Sequence, residues 1–357
     1  MMKRFLPVVL LLSTGFLEAS APSLARSVRA TVGMLRRGMQ SQAQEALASS
    51  PVVVSLKKVP QIGLAVIDNS GTSGDKGCKK PQIPFTRAWA SMSVPESITK
   101  YWTLEYMGLA KRDQIAKMAL VPEIRERFIE ANGHAPTEDD INYMHDEVFV
   151  PEQLEAILEG FEIIEGAADA EHKMRNRGIL IGSSTGYNAV SNGVAIHKLI
   201  EQGAHRDFWV VPSDVIGGRP GPWMIQKNRE LAFAKTGEYI ASHRTIKFDD
   251  TRAGVQEGVN DDCWSIGISY DSIRVNLDKQ EEAELMSRDP KLLKSIRDNA
   301  TQELYQAGAH IVIPTMASAD LAVEFINMCM HDVHCRPQTF KQWANDKSIS
   351  LNDVLFE

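Results

Sequence analysis

The most constraining feature of this sequence is a regular alternation of two kinds of segment beyond Pro60. Short runs of apolar and β-branched residues alternate there with longer amphipathic stretches of helical character. This alternation is typical of parallel strands that are joined by crossover helices. We predict strands at residues 62–67, 178–182, 208–211, 245–248, 264–269 and 310–313. The sequence therefore predicts an α/β fold built on a parallel sheet.

A long helical segment, residues 68–177, separates the first two predicted strands. Prolines stand near the expected helix starts in this segment, at Pro95, Pro122, Pro136 and Pro151. With 357 residues, of which 43% are hydrophobic, the chain can bury one large core and a smaller second domain. We predict an α/β core formed by residues 51–80 and 165–330, a helical cap formed by residues 81–164, and a polar tail over residues 331–357.

The first 50 residues have the composition of a targeting leader. Lys3 and Arg4 precede an apolar run over residues 5–12, and small residues follow at 19–21, as in a secretory signal. The apolar run is too short to span a membrane stably. Residues 23–50 are rich in Arg, Ser and Ala and contain a single acid, which is typical of organellar transit peptides. We expect delivery to a plastid or a mitochondrion; the secretory route, a plain mitochondrial presequence and a solvated helix remain alternatives.

Charge and cysteine content narrow the range of partners. Residues 1–50 carry six basic and two acidic side chains, a local +4, so the rest of a chain with net charge −7 carries −11. This acidic balance argues against nucleic acid as a partner. The cysteines lack the paired spacing of a disulfide framework, and we expect reduced thiols. They are Cys78, Cys263, Cys329 and Cys335. The last two, with His331 and His334, follow no standard zinc spacing.

Polar residues follow four of the predicted strands at the point where each strand ends. They are Asp68 after the first strand, hydroxyl residues at 183–185 after the second, the segment from Asp214 to Arg219 after the third, and Asp249 with Asp250 after the fourth. Taken singly, such residues are common as turns, helix caps or surface loops. Because the carboxyl ends of parallel strands meet at one edge of a sheet, their recurrence favours a shared site. An attacking carboxylate, an oxygen-lined cation site and donors for phosphoryl oxygens together suit phosphoryl transfer.

The order of these motifs, Asp-x-x-Gly-Thr, then Ser/Thr, Arg and Asp-Asp, resembles that of the haloacid dehalogenase superfamily. Residues 107–111, 182–187 and 218–224 are similar to the phosphonoacetaldehyde hydrolase (phosphonatase) family in particular, as are residues 77–78 and 307–310. The resemblance covers residues 62–330. It implies a Rossmann-like parallel-sheet core, a helical cap inserted after the first strand, and a homodimer formed through the cap.

The resemblance also implies roles for individual residues. Asp68 would attack phosphorus, and Lys111, carried by the cap, would form an imine with the aldehyde of the substrate. The phosphate- and substrate-binding residues would be Ser184, Thr185, Gly186, Tyr187, Arg219, Met107 and Cys78. The ligands of Mg²⁺ would be Asp68, the Ser70 carbonyl oxygen and Asp250. The implied reaction converts a small phosphonate, phosphonoacetaldehyde, to acetaldehyde and phosphate.

Ser70 favours cleavage of a C–P bond over cleavage of a phosphate ester. In phosphomonoesterases of the superfamily, an aspartate at this position protonates the departing alkoxide, whereas serine is no general acid near neutral pH. C–P cleavage expels a carbanion instead, and a protonated imine on Lys111 delocalises that charge as an enamine. Imine formation needs a partly neutral lysine, so burial or a nearby cation has to lower the pKa of Lys111.

Three positions depart from the family pattern. Gln114 replaces a histidine three residues after Lys111, and an amide does not shuttle protons. Gly254 stands where the fourth motif of the family has an acid, and we expect Asp249 to supply the missing carboxylate. Asn69 replaces an aromatic residue. These departures keep two alternatives open, a phosphomonoesterase of small molecules and a catalytically impaired relative.

Overall fold

A six-stranded parallel sheet forms the centre of the computed structural model, which describes residues 61–331 and 340–346. The strands are β1 (Leu64–Ile67), β2 (Leu180–Ser184), β3 (Phe208–Val210), β4 (Thr245–Asp249), β5 (Trp264–Ile268) and β6 (Ile311–Ile313). They lie in the order β3-β2-β1-β4-β5-β6, and neighbouring strands pair in parallel. The carboxyl ends of β1 and β4 therefore lie side by side at the middle of one edge of the sheet.

The six predicted strands are all present, with ends that differ from the prediction by no more than two residues. β2 begins later than predicted because Gly178 has a φ of 81° and belongs to the preceding turn. Along β1, Ala65 and Ile67 pack into one apolar cluster, and Leu64 and Val66 pack into another. Both faces of β1 are apolar because helices cover both faces of the sheet. The prediction of an α/β fold is confirmed.

A helical insertion follows β1, as predicted. Its helices are α1 (Gln82–Ser91), α2 (Glu96–Glu105), α3 (Lys111–Met118), α4 (Pro122–Asn132), α5 (Glu138–Asn142) and α6 (Val150–Glu159), with a π-helical stretch, Tyr143–Phe149, between α5 and α6. Pro122 is the first residue of α4, where the missing N–H of proline costs no hydrogen bond. Phe85, Trp89 and Phe128 are buried in an apolar cluster that is separate from the two clusters around β1. The insertion thus has a core of its own.

The remaining helices follow the insertion along the chain, and several of them cover the two faces of the sheet. They are α7 (Ala167–Asn176), α8 (Ala189–Glu201), α9 (Trp223–Thr236), α10 (Arg252–Asn260), α11 (Lys279–Arg288), α12 (Pro290–Gln306), α13 (Ala319–Cys329) and α14 (Phe340–Asp346). Helices α7 and α13 pack on one face. Helices α9, α10 and α12 pack on the other. Apolar residues that are buried between these layers supply most of the stabilising free energy.

The C-terminal part of the chain differs from the sequence prediction in two respects. Helix α14 lies within the predicted polar tail, yet Phe340 and Ala344 are buried, and the Phe340 ring lies 5.3 Å from that of Phe325. Cys329 is disulfide-bonded, so the expectation of reduced thiols is wrong there, whereas Cys78 and Cys263 are free. The predicted leader lies outside the described residues. Across residues 61–331 and 340–346, each helix is too short or too polar to cross a membrane.

Candidate active site

Asp68 lies at the carboxyl end of β1. Its backbone N–H donates to the Phe248 carbonyl oxygen on β4 at 3.0 Å, which extends the ladder one residue past the strand. The buried side chain accepts a hydrogen bond at Oδ1 from Arg219 Nη2, at 2.7 Å. In the following turn, Gly71 has a φ of 83°, and a Cβ atom there would lie 2.3 Å from Asp250 Oδ2. Only glycine allows the turn to pass this close to the second acidic motif.

Asp68, Asp249 and Asp250 form a buried acidic group, in which one carboxylate oxygen of each lies within 4.8 Å of the other two. Asp249 ends β4, beside β1, and Asp250 follows it. Burial and then the charge of Asp249 raise the pKa of Asp68 to about 6. The same two causes raise the pKa of Asp250 well above its usual range. Carboxylates held this close in a dry site repel one another unless cations lie among them.

Arg219, beyond β3, is the first of those cations. Besides Asp68, its guanidinium contacts Asp249 Oδ2 at 3.1 Å and Glu257 Oε2 at 3.0 Å. It also donates to the Ser184 carbonyl oxygen at 2.6 Å. Burial alone would raise the pKa of Asp249, but Arg219 and Lys247 outweigh burial, and the pKa is lowered. Asp249 is therefore the member of the acidic group that is most readily charged.

Lys247 and Glu257 belong to the same network, and the sequence analysis missed both. Lys247 Nζ lies 2.8 Å from Asp249 Oδ2 and donates to Ser184 Oγ at 2.9 Å. Glu257, on α10, accepts a hydrogen bond from Ser184 Oγ at 2.9 Å. Both charged side chains are fully buried. A lysine inside an otherwise buried strand was an available signal, since lysine is seldom buried without a partner. An acid on an amphipathic helix offers no such signal.

The carboxyl end of β2 brings Ser184 and Thr185 to the same edge of the sheet. The Ser184 hydroxyl is engaged by Lys247 and Glu257, so this residue links the charged network to β2. Thr185 is buried, and its Oγ1 accepts the N–H of Tyr187 at 3.2 Å. Of the segment predicted after β3, Arg219 reaches the site. Asp214 does not: it is exposed and accepts the N–H of Val211 at 3.1 Å within a surface turn.

Lys111 is the first residue of α3, and its side chain is buried, with 4% of the residue exposed. Its Nζ lies 3.4 Å from Met107 Sδ. The ammonium also lies 5.7 Å from the ring centre of Phe85 and 5.6 Å from that of Tyr187. Burial in these apolar and aromatic surroundings lowers the pKa of Lys111 to about 8, although the nearby Cys78 and Asp68 act in the opposite direction. The surroundings therefore favour a partly neutral amine.

The cap meets the core through close backbone contacts beside Lys111. The Lys111 N–H donates to the Gly186 carbonyl oxygen at 3.2 Å. A Cβ atom on Gly186 would lie 2.2 Å from the Leu109 carbonyl oxygen. Gly108 has a φ of 99°, and a Cβ atom there would lie 2.3 Å from Thr251 Oγ1. Glycines on both sides of this seam allow the cap to lie directly on the acidic edge of the sheet.

Cys78 and Ser70 lie beside the acidic group. Cys78 Sγ donates to the Ser70 carbonyl oxygen at 3.0 Å and to Asp250 Oδ2 at 3.3 Å. Burial and then the charge of Asp250 raise the pKa of the thiol well above its usual range. The Ser70 hydroxyl donates to the buried Asp75 carboxylate. The thiol of Cys78 thus contacts two of the predicted metal ligands, the Ser70 carbonyl oxygen and the Asp250 carboxylate.

The three departures from the family pattern have distinct structural outcomes. Gln114 is fully buried; its Nε2 donates to the Thr103 carbonyl oxygen at 2.8 Å, and its Oε1 has no partner among the described residues. Asn69 donates to Asn192 Oδ1 at 2.8 Å, so it makes a buried polar contact in place of aromatic packing. Gly254, in the first turn of α10, directly faces the Asp249 carboxylate.

The oxygen atoms at this edge suit a divalent cation. Asp68, Asp249 and Asp250 offer carboxylates and Ser70 offers a carbonyl, which are the hard ligands that Mg²⁺ prefers. Within the described chain, the hydrogen bonds to the Asp250 carboxylate come from uncharged groups: the Thr72 hydroxyl, the Cys78 thiol and the Ile273 N–H. A carboxylate that lacks a cationic partner beside two others gains most from a bound cation. The residues present therefore fit the group that was predicted.

Comparison with solved structures defines the class of protein. The chain is similar to a phosphonoacetaldehyde hydrolase-like protein from Oleispira antarctica, with a TM-score of 0.69 and 26% identity, covering 79% of this chain and 98% of that one. A β-phosphoglucomutase from Clostridium difficile shares the fold alone, with a TM-score of 0.50 and 13% identity over 76% of this chain and 100% of that one. The parallel sheet with a cap inserted after β1 is the fold of the haloacid dehalogenase superfamily.

Comparison with curated sequences narrows the class to a family. The phosphonoacetaldehyde hydrolase of Bacillus cereus is 32% identical over 267 residues, which cover 74% of this chain and 97% of that protein. The phosphonoacetaldehyde hydrolase of Paraburkholderia xenovorans is 31% identical over 252 residues, or 71% of this chain and 90% of that protein. A scan against protein-family models finds no match. The chain belongs to the phosphonoacetaldehyde hydrolase family.

Proposed function

We propose that this protein hydrolyses the C–P bond of phosphonoacetaldehyde to acetaldehyde and phosphate. The observation that carries the proposal is a buried lysine, Lys111, whose pKa is lowered to about 8 and whose charge interacts with Asp68. Hydrolysis of a phosphate monoester needs no partly neutral amine, because none of its steps adds nitrogen to a carbonyl carbon. An enzyme that activates an aldehyde needs one, because only the free amine adds to a carbonyl carbon.

Lys111 begins the reaction. With a pKa of about 8, roughly a tenth of the lysine is the free amine at pH 7, against a negligible fraction for an exposed lysine. The amine adds to the aldehyde carbon, and water leaves as the imine forms. Met107, Phe85 and Tyr187 surround the nitrogen and exclude bulk water, which would otherwise favour the free aldehyde.

Asp68 completes the bond cleavage. Its carboxylate attacks phosphorus, and the electron pair of the C–P bond moves into the protonated imine to give an enamine. Protonation and hydrolysis of the enamine release acetaldehyde and return the Lys111 amine. Water then cleaves the aspartyl phosphate and releases phosphate, so the net reaction consumes one water molecule. Asp68 lies close to Arg219, which balances its charge before the attack.

Arg219 and Thr185 hold the phosphonate oxygens in this proposal. Asp68, Asp249, Asp250 and the Ser70 carbonyl would hold Mg²⁺, which supplies positive charge beside the phosphonate. Ser184 acts indirectly, because its hydroxyl is bound to Lys247 and Glu257 and its carbonyl oxygen fixes Arg219. Gly186 and Cys78 would lie beside the substrate on the core side, where they make the contacts described above.

Two broader proposals concern assembly and destination. The family resemblance supports a homodimer formed through the cap, and such an interface would bury exposed apolar side chains of the cap, among them Ile83, Tyr101 and Leu120, which are 61%, 62% and 75% exposed. The composition of residues 1–50 supports import into a plastid or a mitochondrion. A fluorescent protein fused behind these residues should be imported into one of these organelles; an unchanged diffuse signal or secretion would contradict this destination.

The direct test measures acetaldehyde and phosphate released from phosphonoacetaldehyde in the presence of Mg²⁺. Borohydride added with the substrate should inactivate the enzyme irreversibly and label Lys111, as read by peptide mass spectrometry. Lys111→Ala should abolish both activity and labelling. Lys117→Ala, on the exposed side of the same helix, should leave both unchanged. Hydrolysis of small phosphate esters that survives Lys111→Ala would show a phosphomonoesterase instead.

A further inference from the structure

The carboxylate of Asp249 and the missing side chain of Gly254 occupy the same space. A Cβ atom built on Gly254 would lie 2.0 Å from Asp249 Cγ, 2.0 Å from its Oδ2 and 2.2 Å from its Oδ1. Real Cβ atoms essentially never lie within 3.0 Å of another non-bonded heavy atom. The two positions can therefore not both carry side chains in this arrangement, and a side chain at either one would fill the same corner of the acidic site.

Asp249 is held firmly in that corner. Its Oδ1 accepts the Thr251 N–H at 2.9 Å and the Thr251 hydroxyl at 2.7 Å. Its Oδ2 lies 2.8 Å from Lys247 Nζ and 3.1 Å from Arg219 Nη2. The Thr251 hydroxyl also accepts the Gly254 N–H at 3.1 Å, so one residue fixes both the carboxylate and the first turn of α10. This geometry leaves the carboxylate no free rotation away from Asp68 and Asp250.

We propose that Asp249 supplies the third carboxylate of the metal site from the end of β4, and that Gly254 is the residue that makes room for it. The inference rests on the proposed function only in taking the acidic group as a Mg²⁺ site. The same carboxylate can then be supplied from either of two positions, from 249 at the end of the strand or from 254 in the first turn of the following helix. An acid fits at one of these positions only when the other is a glycine.

The experiment measures Mg²⁺ affinity by isothermal titration calorimetry on the full chain without substrate. Asp249→Asn keeps the shape but removes the charge, and we expect Mg²⁺ affinity to fall about 10- to 100-fold. Gly254→Ala leaves every charge in place but displaces the Asp249 carboxylate, and it should weaken Mg²⁺ binding by a similar factor. Gly193→Ala, in the middle of α8, is the matched control, because a Cβ atom there meets nothing within 4 Å.

Exchange of the two residues is the decisive variant. Asp249→Gly combined with Gly254→Asp restores one acid and one glycine, and it should bind Mg²⁺ within about tenfold of the parent and more tightly than Asp249→Gly alone. Thermal unfolding with Mg²⁺ and with a chelator identifies any variant that fails to fold, since a bound ligand raises the melting temperature.

The outcomes separate this inference from the proposed function. Mg²⁺ affinity unchanged in Asp249→Asn would overturn the inference and leave Asp249 as a structural partner of Arg219, Lys247 and Thr251. A folded exchange variant that binds no better than Asp249→Gly would overturn it as well. In a further outcome, the variants show the expected changes in Mg²⁺ affinity while the parent protein does not hydrolyse phosphonoacetaldehyde. That result would refute the proposed function and leave the inference standing.

Discussion

At the scale of single residues, Lys111 predicts a defined pH dependence of imine formation. Its pKa is lowered from the ordinary 10.5 to about 8, so the free amine increases as pH rises toward 8 and changes little above it. We therefore expect the rate of trapping by cyanoborohydride, in the presence of phosphonoacetaldehyde, to increase about tenfold for each unit by which the pH is raised, up to about pH 8. A rate that keeps rising up to pH 10 would show that Lys111 is not desolvated in solution.

We expect replacement of Lys247 to lower the stability of the fold considerably. Its ammonium is fully buried and lies 2.8 Å from Asp249 and 3.6 Å from Glu257. Lys247→Met leaves these carboxylates with Arg219 as their remaining cationic partner, and the free energy of unfolding in urea should fall by about 3 to 5 kcal/mol. Lys247→Met with Glu257→Gln should recover part of the loss, because one unpaired charge is removed. A loss within experimental error would show that the buried pair contributes nothing.

At the scale of elements, the end of α2 ties the cap to the core by ion pairs. Glu105 contacts Arg252 Nη1 and Arg274 Nη2, each at 2.8 Å. Glu105→Gln should raise the KM for phosphonoacetaldehyde by a few-fold at low salt, with a smaller difference at high salt, since salt screens the pair with Arg252, whose side chain is 48% exposed. Glu96→Gln, whose partner Lys100 lies within α2, should leave the KM unchanged at both salt concentrations.

Helix α14 predicts that the C-terminal region contributes to stability. The Phe340 ring packs on Phe325 and Trp343, and the residue is 1% exposed. Phe340→Ala should lower the free energy of unfolding by about 3 to 5 kcal/mol through the cavity that it leaves. Gln342→Ala, on the exposed side of the helix, is the control and should change it by less than about 0.5 kcal/mol. Equal effects of the two substitutions would show that the helix does not dock.

The strands were predictable from the sequence because each lies in a short run rich in apolar and β-branched residues, and polar residues follow four of them. Arg219 and Asp68 were predictable for the same reason, since they follow strands. Lys247 and Glu257 were missed. The charge inside an apolar strand was an available signal for Lys247, whereas the contacts of both residues with Ser184, 63 and 73 residues away in sequence, exist only in the folded protein. The packing of α14 on α13 was not predicted, because polar residues surround the apolar residues of α14 in the sequence. The local sequence pattern indicates which face of a helix or strand is apolar. It does not indicate which charged residues, distant in sequence, that helix or strand contacts.

At the scale of the whole molecule, the exposed apolar residues of the cap predict self-association. Leu120, which is 75% exposed, lies between α3 and α4. Leu120→Asp should shift the mass measured by light scattering from dimer to monomer, because it places a charge at the proposed interface. Leu292→Asp, on α12 and 46% exposed, is the control outside the cap and should leave the mass unchanged. A monomeric parent protein would contradict the assembly.

The seam between cap and core has a thermodynamic consequence. Lys111, Phe85 and Met107 belong to the cap, whereas Tyr187 and Gly186 belong to the core, so the dry surroundings of the amine exist in full only when the two parts are together. A lysine that returns to water regains its ordinary basicity, and the separated form then binds more protons between pH 8 and 10.5 than the joined form. By linkage, joining the two parts expels a proton, and a rising pH within that window draws the equilibrium toward the joined form.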